Sequence, residues 1–391
     1  MNIKKMCKLL LVSLCLILFS TLSSAVTIKG LGSTFELNKG IGFDGVDGED
    51  REAAFVAATQ FWADIIVSPV TIEIDAEFSD LSCSTNSAVL GSAGPFSAFL
   101  TDAESIGLKD NVLYSTALIN AYKGSDLFGG GDIDASFNTN LGNADCLSSS
   151  GWYYGLDGNT PRGKINFYEV VQHELGHSLG FLSLVNDDGT DNGQVDIFTT
   201  FLHDQSTGKD WTAMSSSERN ISVNNTGNVV WSGANVTNLV SKLTAGVNSG
   251  KVQLFAPDVY QAGSSISHFD SALTPNELME PTYTGNSTFE HTIALLKDIG
   301  WPTIAQDTTP TPPINVAPVI VGQNSLLINE DTSLTISLNN LSVTDSDSNY
   351  PADFSLTVNE GVNEGVNYTL SGFTITPLWF INCACYGERR N

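Results

Sequence analysis

The stretch VVQHELGHSLGFLS, residues 170–183, places His173 and His177 four positions apart with Glu174 between them. On a helix, residues at positions i and i+4 share one face, so both imidazoles can point at a single metal ion. This HExxH pattern is typical of a zinc site whose glutamate acts as a general base. The longer pattern HExxHxxGxxH would place a third ligand at position 183, where this chain has Ser183. The third ligand must therefore come from another part of the chain.

The chain offers three further histidines as the third ligand: His203, His268 and His291. An aspartate or glutamate could also complete the site, because zinc accepts carboxylate ligands. His291 stands at the start of the last predicted helix, which favours a role in packing or capping. Spacing does not separate the other two histidines, since a methionine follows each of them eleven positions later.

The sequence context of those two methionines favours His268. Met279, which follows His268, lies in PNELMEP between two prolines, and this composition predicts a tight turn. Met214, which follows His203, lies in TAMSSSERN and has no comparable flanking prolines. The residues therefore favour His268 and leave His203 or a carboxylate as alternatives.

HELGHSLGF, followed by a long insertion and then SHFDSALTPNELMEP, resembles the leishmanolysin-type branch of the metzincin zinc proteases. In that branch an inserted segment displaces the third histidine far downstream, and a methionine-containing turn follows it. The resemblance covers roughly residues 26–301, including YYGLDGNTPRGKINFYEVVQHELGH and ALLKDIGW. It is close to bacterial secreted members that carry repeat domains after the catalytic part. The departure at Ser183 counts against the compact metzincins and not against this branch.

The resemblance implies a specific set of roles in this chain. It implies three zinc ligands: His173, His177 and His268. It also makes Glu174 the general base and Met279 the methionine of the turn below the metal. Gly180 is expected to let the backbone leave the helix sharply, because glycine readily adopts the left-handed conformation.

Two further residues near the expected site are candidates for supporting roles. Asp270, two positions after His268, could accept a hydrogen bond from the ring nitrogen of that histidine that does not bind metal. Tyr283 follows Met279 by four positions and could stabilise an oxyanion, with packing as the alternative.

The resemblance implies a zinc-dependent endopeptidase that acts on a protein or peptide substrate. One alternative is an exported adhesin or binding protein whose metzincin-like domain is structural or inactive. Another is a zinc hydrolase that cleaves a different bond, such as a glycan-linked amide. The intact Glu174 favours an enzyme, because an inactive relative could lose the base freely.

The first 25 residues predict a signal peptide. MNIKKMCK carries three lysines, LLLVSLCLILF is an uncharged apolar run of 11 residues, and SSA supplies small residues before a cleavage site. The run is short for a membrane span of about 20 residues. We therefore expect export to the extracellular space, and no stable membrane insertion after cleavage.

The chain is strongly acidic, with 17 basic and 43 acidic residues and a formal net charge of −26. A polyanion of this kind does not bind nucleic acid or an anionic membrane by charge. Aspartate-rich segments could bind calcium, and the candidates are residues 186–196 and DSDSN at 345–349. The first segment lacks the spacing of an EF-hand loop, so a surface turn rich in Asp and Asn is the alternative.

Cysteine usage indicates an oxidising compartment. Cys83 and Cys146 lie in the body of the protein, after the predicted signal peptide, and they are the natural disulfide pair. The bond would close a loop of about 60 residues and contribute about 4 kcal/mol in the chain-entropy model. Two free buried thiols are the alternative.

Hydrophobic patterning predicts an α+β fold. The patterns indicate a helix over 51–66, a strand over 69–78, a helix that opens near Asn166 and a last helix that ends at Gly300. The resemblance implies a metzincin-type domain over 26–301, with a twisted mixed sheet, an active-site helix and a C-terminal helix.

Composition changes twice beyond that domain. Residues 302–316 are rich in Pro and Thr and predict a semi-rigid linker. INEDTSLTISLNNLSVTDSDS, within 317–377, resembles the cadherin-like or Ig-like repeats of bacterial exported proteins, which implies a partial all-β sandwich able to contact a surface or matrix. Residues 378–391 change character abruptly, so we expect a truncated or frame-shifted end, with a natural tail as the alternative.

Overall fold

The computed structural model describes most of the chain up to residue 304 and several short stretches beyond it. The described residues are 25–98, 103–191, 193–285, 287–304, 319–324, 333–344, 368–371 and 374–377. Residues 1–24 of the predicted signal peptide, most of the predicted linker, the DSDSN segment and the atypical tail lie outside them. Within the described ranges, no helix has the length and apolar character needed to cross a membrane.

The described residues up to 304 form six α-helices and fifteen short strands. The helices are α1 Gly48–Ile65, α2 Thr116–Lys123, α3 Phe167–Ser178, α4 Ser216–Ser222, α5 Ala234–Thr237 and α6 Glu290–Asp298. The strands are β1 Val26–Lys29, β2 Thr34–Lys39, β3 Ile72–Ser79, β4 Gly91–Pro95, β5 Ser97–Ala98, β6 Val112–Ser115, β7 Ile133–Asn138, β8 Trp152–Tyr153, β9 Ile165–Asn166, β10 Val195–Asp196, β11 Leu202–Asp204, β12 Lys209–Asp210, β13 Val229–Trp231, β14 Val247–Asn248 and β15 Lys251–Val252.

A five-stranded mixed sheet in the order β1-β2-β3-β7-β4 is the largest sheet. Strands β2, β3 and β7 run parallel, whereas β1 and β4 are antiparallel to their neighbours. In β3 the side chains alternate between buried and more exposed positions, so one face of the sheet joins the core and the other faces solvent. Strand β4 is the last strand in the order and so forms one edge of this sheet.

Helices α1 and α3 cover the apolar face of the large sheet. Phe55 of α1 and Phe167 of α3 both contact Phe137 of β7, with ring centroids 5.8 and 4.9 Å apart respectively. The buried indole of Trp62 in α1 donates a hydrogen bond of 3.0 Å to the Gln172 carbonyl of α3. Aromatic packing and this hydrogen bond fix α3 against both neighbours.

The observed boundaries differ from the predicted ones for local physical reasons. Helix α1 begins at Gly48, three residues before the predicted start, and the acidic side chains of Glu49 and Asp50 suit its first turn. Strand β3 begins later than predicted, because Pro69 lacks the N–H that a sheet requires. Helix α6 ends before Gly300, which has a φ of +116°.

Residues 302–304 pack with the first part of the chain. The amide of Val67 donates to the Pro302 carbonyl at 2.9 Å, and the amide of Ile304 donates to the Ile65 carbonyl at 2.9 Å. The ordered unit therefore extends to at least Ile304, past the start of the predicted linker.

Beyond the linker, the described residues form short strands and one 3-10 turn, Leu338–Asn340. The strands are β16 Val319–Gln323, β17 Leu334–Thr335, β18 Leu341–Thr344, β19 Tyr368–Ser371 and β20 Thr374–Pro377. Strands β16 and β18 pair antiparallel, and β20 lies between β17 and β19 in a second antiparallel sheet. The α+β class predicted from the sequence is confirmed, while the metzincin-type domain and the all-β sandwich repeat remain predictions.

Candidate metal centre

Helix α3 carries His173, Glu174 and His177. It begins after Asn166, whose side-chain oxygen accepts a hydrogen bond of 3.0 Å from the Tyr168 amide. This N-cap satisfies a backbone donor that the first turn would otherwise leave unpaired. The cap and the apolar packing of the helix hold the two histidines one turn apart on the same face.

The chain leaves α3 at Gly180, which has a φ of +111°. That conformation favours glycine, and a Cβ there would also lie 3.0 Å from the Ile299 side chain. The turn brings the Phe181 carbonyl within 2.8 Å of the His177 Nδ1 atom. The sharp exit at Gly180 therefore supplies a hydrogen-bond partner to a histidine of the site.

The structure brings His268 to the two histidines of α3. The Nε2 atoms lie 3.1 Å apart for His173 and His177, and 3.2 Å apart for each of these with His268. A tetrahedral ion with metal–nitrogen bonds of about 2.0–2.1 Å separates neighbouring ligand atoms by about 3.3 Å. The triangle of nitrogens therefore fits a metal ion of this kind, and imidazole suits Zn, Cu, Fe and Ni.

Each ring of this triad is oriented by a backbone carbonyl. The Nδ1 atoms of His173, His177 and His268 lie 2.7, 2.8 and 2.7 Å from the carbonyl oxygens of Leu278, Phe181 and Ser264 respectively. A carbonyl can only accept, so each Nδ1 carries the proton and each Nε2 directs a lone pair at the common point. The prediction that Asp270 serves His268 is wrong, because the Ser264 carbonyl takes that place.

Burial keeps the three imidazoles neutral. It lowers the pKa of His173, and it lowers the pKa of His268 well below the ordinary value. Burial and the neighbouring His173 ring lower the pKa of His177 to about 3. Neutral imidazole is the form that binds a metal, so the site is ready for ligation at neutral pH.

Glu174 lies in the same cleft as the triad and is 7% exposed. Burial raises the pKa of Glu174 to about 8, and a hydrogen bond from the backbone N–H of Ala93 opposes this shift. A cation held by the three rings would favour the charged carboxylate and lower that pKa. The arrangement suits a group that exchanges a proton near neutral pH.

Gly91 of β4 leaves the space that the Glu174 side chain fills. A Cβ at Gly91 would lie 2.8 Å from both Cγ and Oε1 of Glu174. Gly94, on the same strand, faces open space at the corresponding point. The role of Gly91 was missed in the sequence, where the only signal is a run of small residues in GSAGP.

Met279 lies buried against α3. A Cβ at Gly176 of that helix would lie 2.6 Å from the Met279 sulfur. The Met279 carbonyl accepts a hydrogen bond of 2.9 Å from the amide of Phe269, the residue after His268. The methionine turn therefore contacts both the helix with two histidines and the segment with the third.

Glu277 anchors the methionine turn to α6. Its buried carboxylate accepts hydrogen bonds of 2.8 Å from both the His291 amide and the Thr292 hydroxyl, and it lies 3.1 Å from His291 Nδ1. The His291 ring is thereby held by Glu277, in agreement with its predicted role in packing or capping. This anchor was not predicted from the sequence.

His203 and Tyr283 have partners away from the triad. His203 Nδ1 lies 2.7 Å from the Asp210 carboxylate. The Tyr283 hydroxyl accepts a hydrogen bond of 3.2 Å from the Asn166 amide at the start of α3. Among the described residues, the triad is the one group of three or more His, Cys, Asp or Glu side chains placed to share an ion.

The site opens into a cleft of about 840 Å³. One wall comes from residues 82–84 and 86–93, which include part of the edge strand β4, and another includes residues 261–264, 278 and 280–284. The predicted disulfide is confirmed, since Cys83 and Cys146 are bonded with their Cα atoms 5.2 Å apart. It ties the first of these walls to the body of the protein.

The Arg219 side chain contacts the aspartate-rich segment 186–196. The buried Arg219 guanidinium donates to the Gly189 carbonyl at 2.7 Å, to the Met214 carbonyl at 2.9 Å and to the Asp191 carboxylate at 3.1 Å. These oxygens are thus gathered around a side-chain cation. Calcium binding by this segment remains a prediction.

Comparison of the chain with protein-family models, with curated proteins and with solved structures found no match. The functional assignment therefore depends on the geometry and chemistry of the site itself.

Proposed function

We propose that the chain is a secreted zinc-dependent endopeptidase with a metzincin-type catalytic domain. The observation that carries the proposal is the convergence of three neutral imidazole nitrogens in a cleft that also contains Glu174. Three protein ligands with a further open position are typical of catalytic zinc, whereas structural zinc has four protein ligands.

When bound, zinc would supply Lewis-acid chemistry and would lower the pKa of a coordinated water to about 7. Glu174 would accept a proton from a water held in the cleft and would pass it to the leaving amine. The Ala93 N–H and the space at Gly91 hold its carboxylate in the cleft. Fixing the base in advance lowers the entropic part of the barrier.

The position of β4 favours a peptide as substrate. Gly91, Ser92 and Ala93 line the cleft, while the other edge of their strand pairs with β7. An extended peptide can add to an exposed edge strand through backbone hydrogen bonds. This mode of binding would present a peptide carbonyl to the triad and to Glu174.

The disulfide supports the proposed extracellular location, because such bonds persist in oxidising compartments. The antiparallel strands beyond residue 318 are consistent with the proposed repeat that contacts a surface or matrix.

Zinc content and proteolysis of the Glu174→Gln variant test the proposal. We expect the purified wild-type chain to bind one zinc ion and to cleave casein, with loss of cleavage in the presence of a chelator. Glu174→Gln should retain zinc and lose cleavage, because the variant keeps the ligands and lacks the base. His203→Ala is the matched control and should retain both properties.

The alternatives give different outcomes in the same experiment. Zinc binding without hydrolysis of any peptide would favour the exported binding protein. Hydrolysis of a glycan-linked amide in place of peptides would favour the other zinc hydrolase. Proteolysis by Glu174→Gln at the wild-type rate would rule out the proposed mechanism.

A further inference from the structure

The charged side chains of the cleft, apart from the histidines, are all acidic. Among the described residues, the acidic and basic side chains that line it, apart from the histidines, are three glutamates: Glu169, Glu174 and Glu280. Neither a lysine nor an arginine of the described ranges lines this cleft. A cleft lined by one sign of charge attracts ligand groups of the opposite sign.

Two of these glutamates already have roles inside the protein. Glu174 accepts from the Ala93 amide and occupies the position of the base. Glu169, in the first turn of α3, shares a hydrogen bond with the Tyr283 hydroxyl. Glu280 is therefore the glutamate that remains for contact with a ligand.

Glu280 and the three histidines line the same cleft. Glu280 follows Met279 directly, and it lies two positions after Leu278, whose carbonyl orients His173. The residue as a whole is 5% exposed. One carboxylate oxygen accepts a hydrogen bond of 2.8 Å from the Glu277 amide.

The surroundings of Glu280 lack a compensating positive charge. Burial, together with the negative charges of Glu277 and Asp270, raises the pKa of Glu280 to about 7. Across the described residues, no lysine or arginine forms an ion pair with its carboxylate. A buried carboxylate without a cation is costly, and a bound cation would relieve that cost.

We propose that Glu280 is a specificity-determining residue that selects substrates with a lysine or arginine side chain next to the cleaved bond. The subsite rests on the proposed endopeptidase function and names the substrate class of that same cleft. The turn alone does not need the charge, because a glutamine oxygen could accept from the Glu277 amide equally well. The charge matters for a ligand that reaches Glu280 through the cleft.

Matched peptides test this subsite from the substrate side. The substrates are neutral quenched-fluorescence peptides that come in pairs. One pair carries lysine or N-acetyl-lysine, and the other carries arginine or citrulline. The varied residue is placed in turn at each position on either side of the cleaved bond. For the zinc-loaded wild-type chain we expect kcat/KM to be at least about tenfold higher for the charged member at one position. Equal values at every position would overturn the subsite even if hydrolysis proceeds.

Paired variants test it from the protein side. In Glu280→Gln the ratio between charged and neutral peptides should fall to about one, because the cation loses its partner. In the control Glu169→Gln the ratio should stay near that of the wild type. An equal fall in both variants would assign the preference to the general acidity of the cleft and overturn the role of Glu280. Far-UV circular dichroism of each variant checks that it is folded.

A binding measurement separates the subsite from the endopeptidase function. The Glu174→Gln protein is mixed with the same peptides carrying a fluorophore, and Kd is measured by fluorescence anisotropy. We expect the lysine peptide to bind about tenfold more tightly than the acetyl-lysine peptide. If this difference appears and no peptide is hydrolysed by the wild type, the subsite stands and the endopeptidase function fails. Equal Kd values would overturn the proposed subsite and would leave the endopeptidase function untouched.

Discussion

Helix α3 and the segment 264–281 build the same metal centre in opposite ways. The helix supplies two histidines and the candidate base within five consecutive residues, and regular backbone geometry alone brings them together. The segment supplies His268, which lies 91 residues after His177 and outside any helix or strand. A short pattern thus determines one half of the site, whereas contacts distant in sequence determine the other half.

The segment 264–281 is held by individual hydrogen bonds, whereas helix α3 is held by a regular series of backbone hydrogen bonds. The amide of Phe255 donates to the His268 carbonyl at 2.9 Å, and the amide of Ile266 donates to the Phe255 carbonyl at 2.7 Å. Ile266 has a φ of +72°, a conformation that is strained for a β-branched residue. The surrounding contacts must therefore compensate for local backbone strain near His268.

Removing His268 gives the largest expected effect and tests whether the two halves contribute equally. His268→Ala should weaken zinc binding as strongly as His177→Ala. The loss of zinc affinity should exceed the roughly hundredfold loss expected when a group that hydrogen-bonds to a zinc ligand is removed. Competition with a chromogenic chelator measures both affinities. Loss of zinc from His203→Ala with retention in His268→Ala would reverse the assignment of the third ligand.

The Glu277 anchor belongs to the segment, so its removal should weaken that half while leaving α3 intact. Glu277→Gln removes the charge of a buried carboxylate that holds several donors, and we expect the free energy of unfolding to fall by about 2–4 kcal/mol. Urea denaturation measures the change.

Glu290→Gln, at the start of the same helix α6, is the control for Glu277→Gln. Glu290 pairs with Lys242 at 2.6 Å on the surface, and such pairs contribute about 0–1 kcal/mol. Equal destabilisation by the two variants would show that the turn is not anchored through Glu277.

Gly91→Ala tests whether the helical half also depends on a neighbouring strand. The added methyl group would displace the Glu174 carboxylate, and we expect kcat to fall by about 10–100-fold with zinc content unchanged. Gly94→Ala adds the same methyl group where nothing lies within 4 Å, so it should leave kcat unchanged. Steady-state kinetics on a peptide, with zinc analysis, distinguishes the two; similar kcat values in both variants would exclude this role for Gly91.

Glu280→Gln gives the smallest expected effect and concerns pH. Burial raises the pKa of Glu280 from 4.5 to about 7, so the folded chain binds this proton more tightly than the unfolded chain. The contribution to stability is fully present below pH 4.5 and is lost as pH rises through about 7. A shift of this size corresponds to at most about 3 kcal/mol. We expect the ionised group to cost the wild type about 1–2 kcal/mol across that window, because the cleft admits solvent that screens the charge.

Urea unfolding at a series of pH values checks the Glu280 prediction. The wild-type curve should fall relative to that of Glu280→Gln between pH 4.5 and 7.5, and the two should run parallel at lower pH. Curves that stay parallel throughout would show that the carboxyl is not perturbed by burial.

The features that the sequence predicted depend on short patterns or on few choices. Asn166 preceding an apolar helical pattern indicated the start of α3, and that residue is its N-cap. Two cysteines, Cys83 and Cys146, lie between the predicted signal peptide and the atypical tail, and the structure contains the bond between them. The proline-flanked turn around Met279 favoured His268 over the other histidines as the third ligand.

The missed features require knowledge of distant neighbours. The importance of Gly91 follows from the approach of β4 to α3, which no local pattern reveals. The link between Glu277 and His291 depends on the turn meeting the start of α6. The partner of His268 is a backbone carbonyl of Ser264, and backbone acceptors leave no signature in composition.

Arg219 gives the aspartate-rich loop a permanent counter-ion that is attached covalently to the chain. A guanidinium stays charged at every physiological pH, so it can keep its bonds to the Gly189 carbonyl and the Asp191 carboxylate whatever the calcium concentration of the medium. Treatment with EDTA should therefore leave the geometry of this loop intact. Inactivation by EDTA, followed by recovery on adding zinc alone, would then trace to the histidine triad.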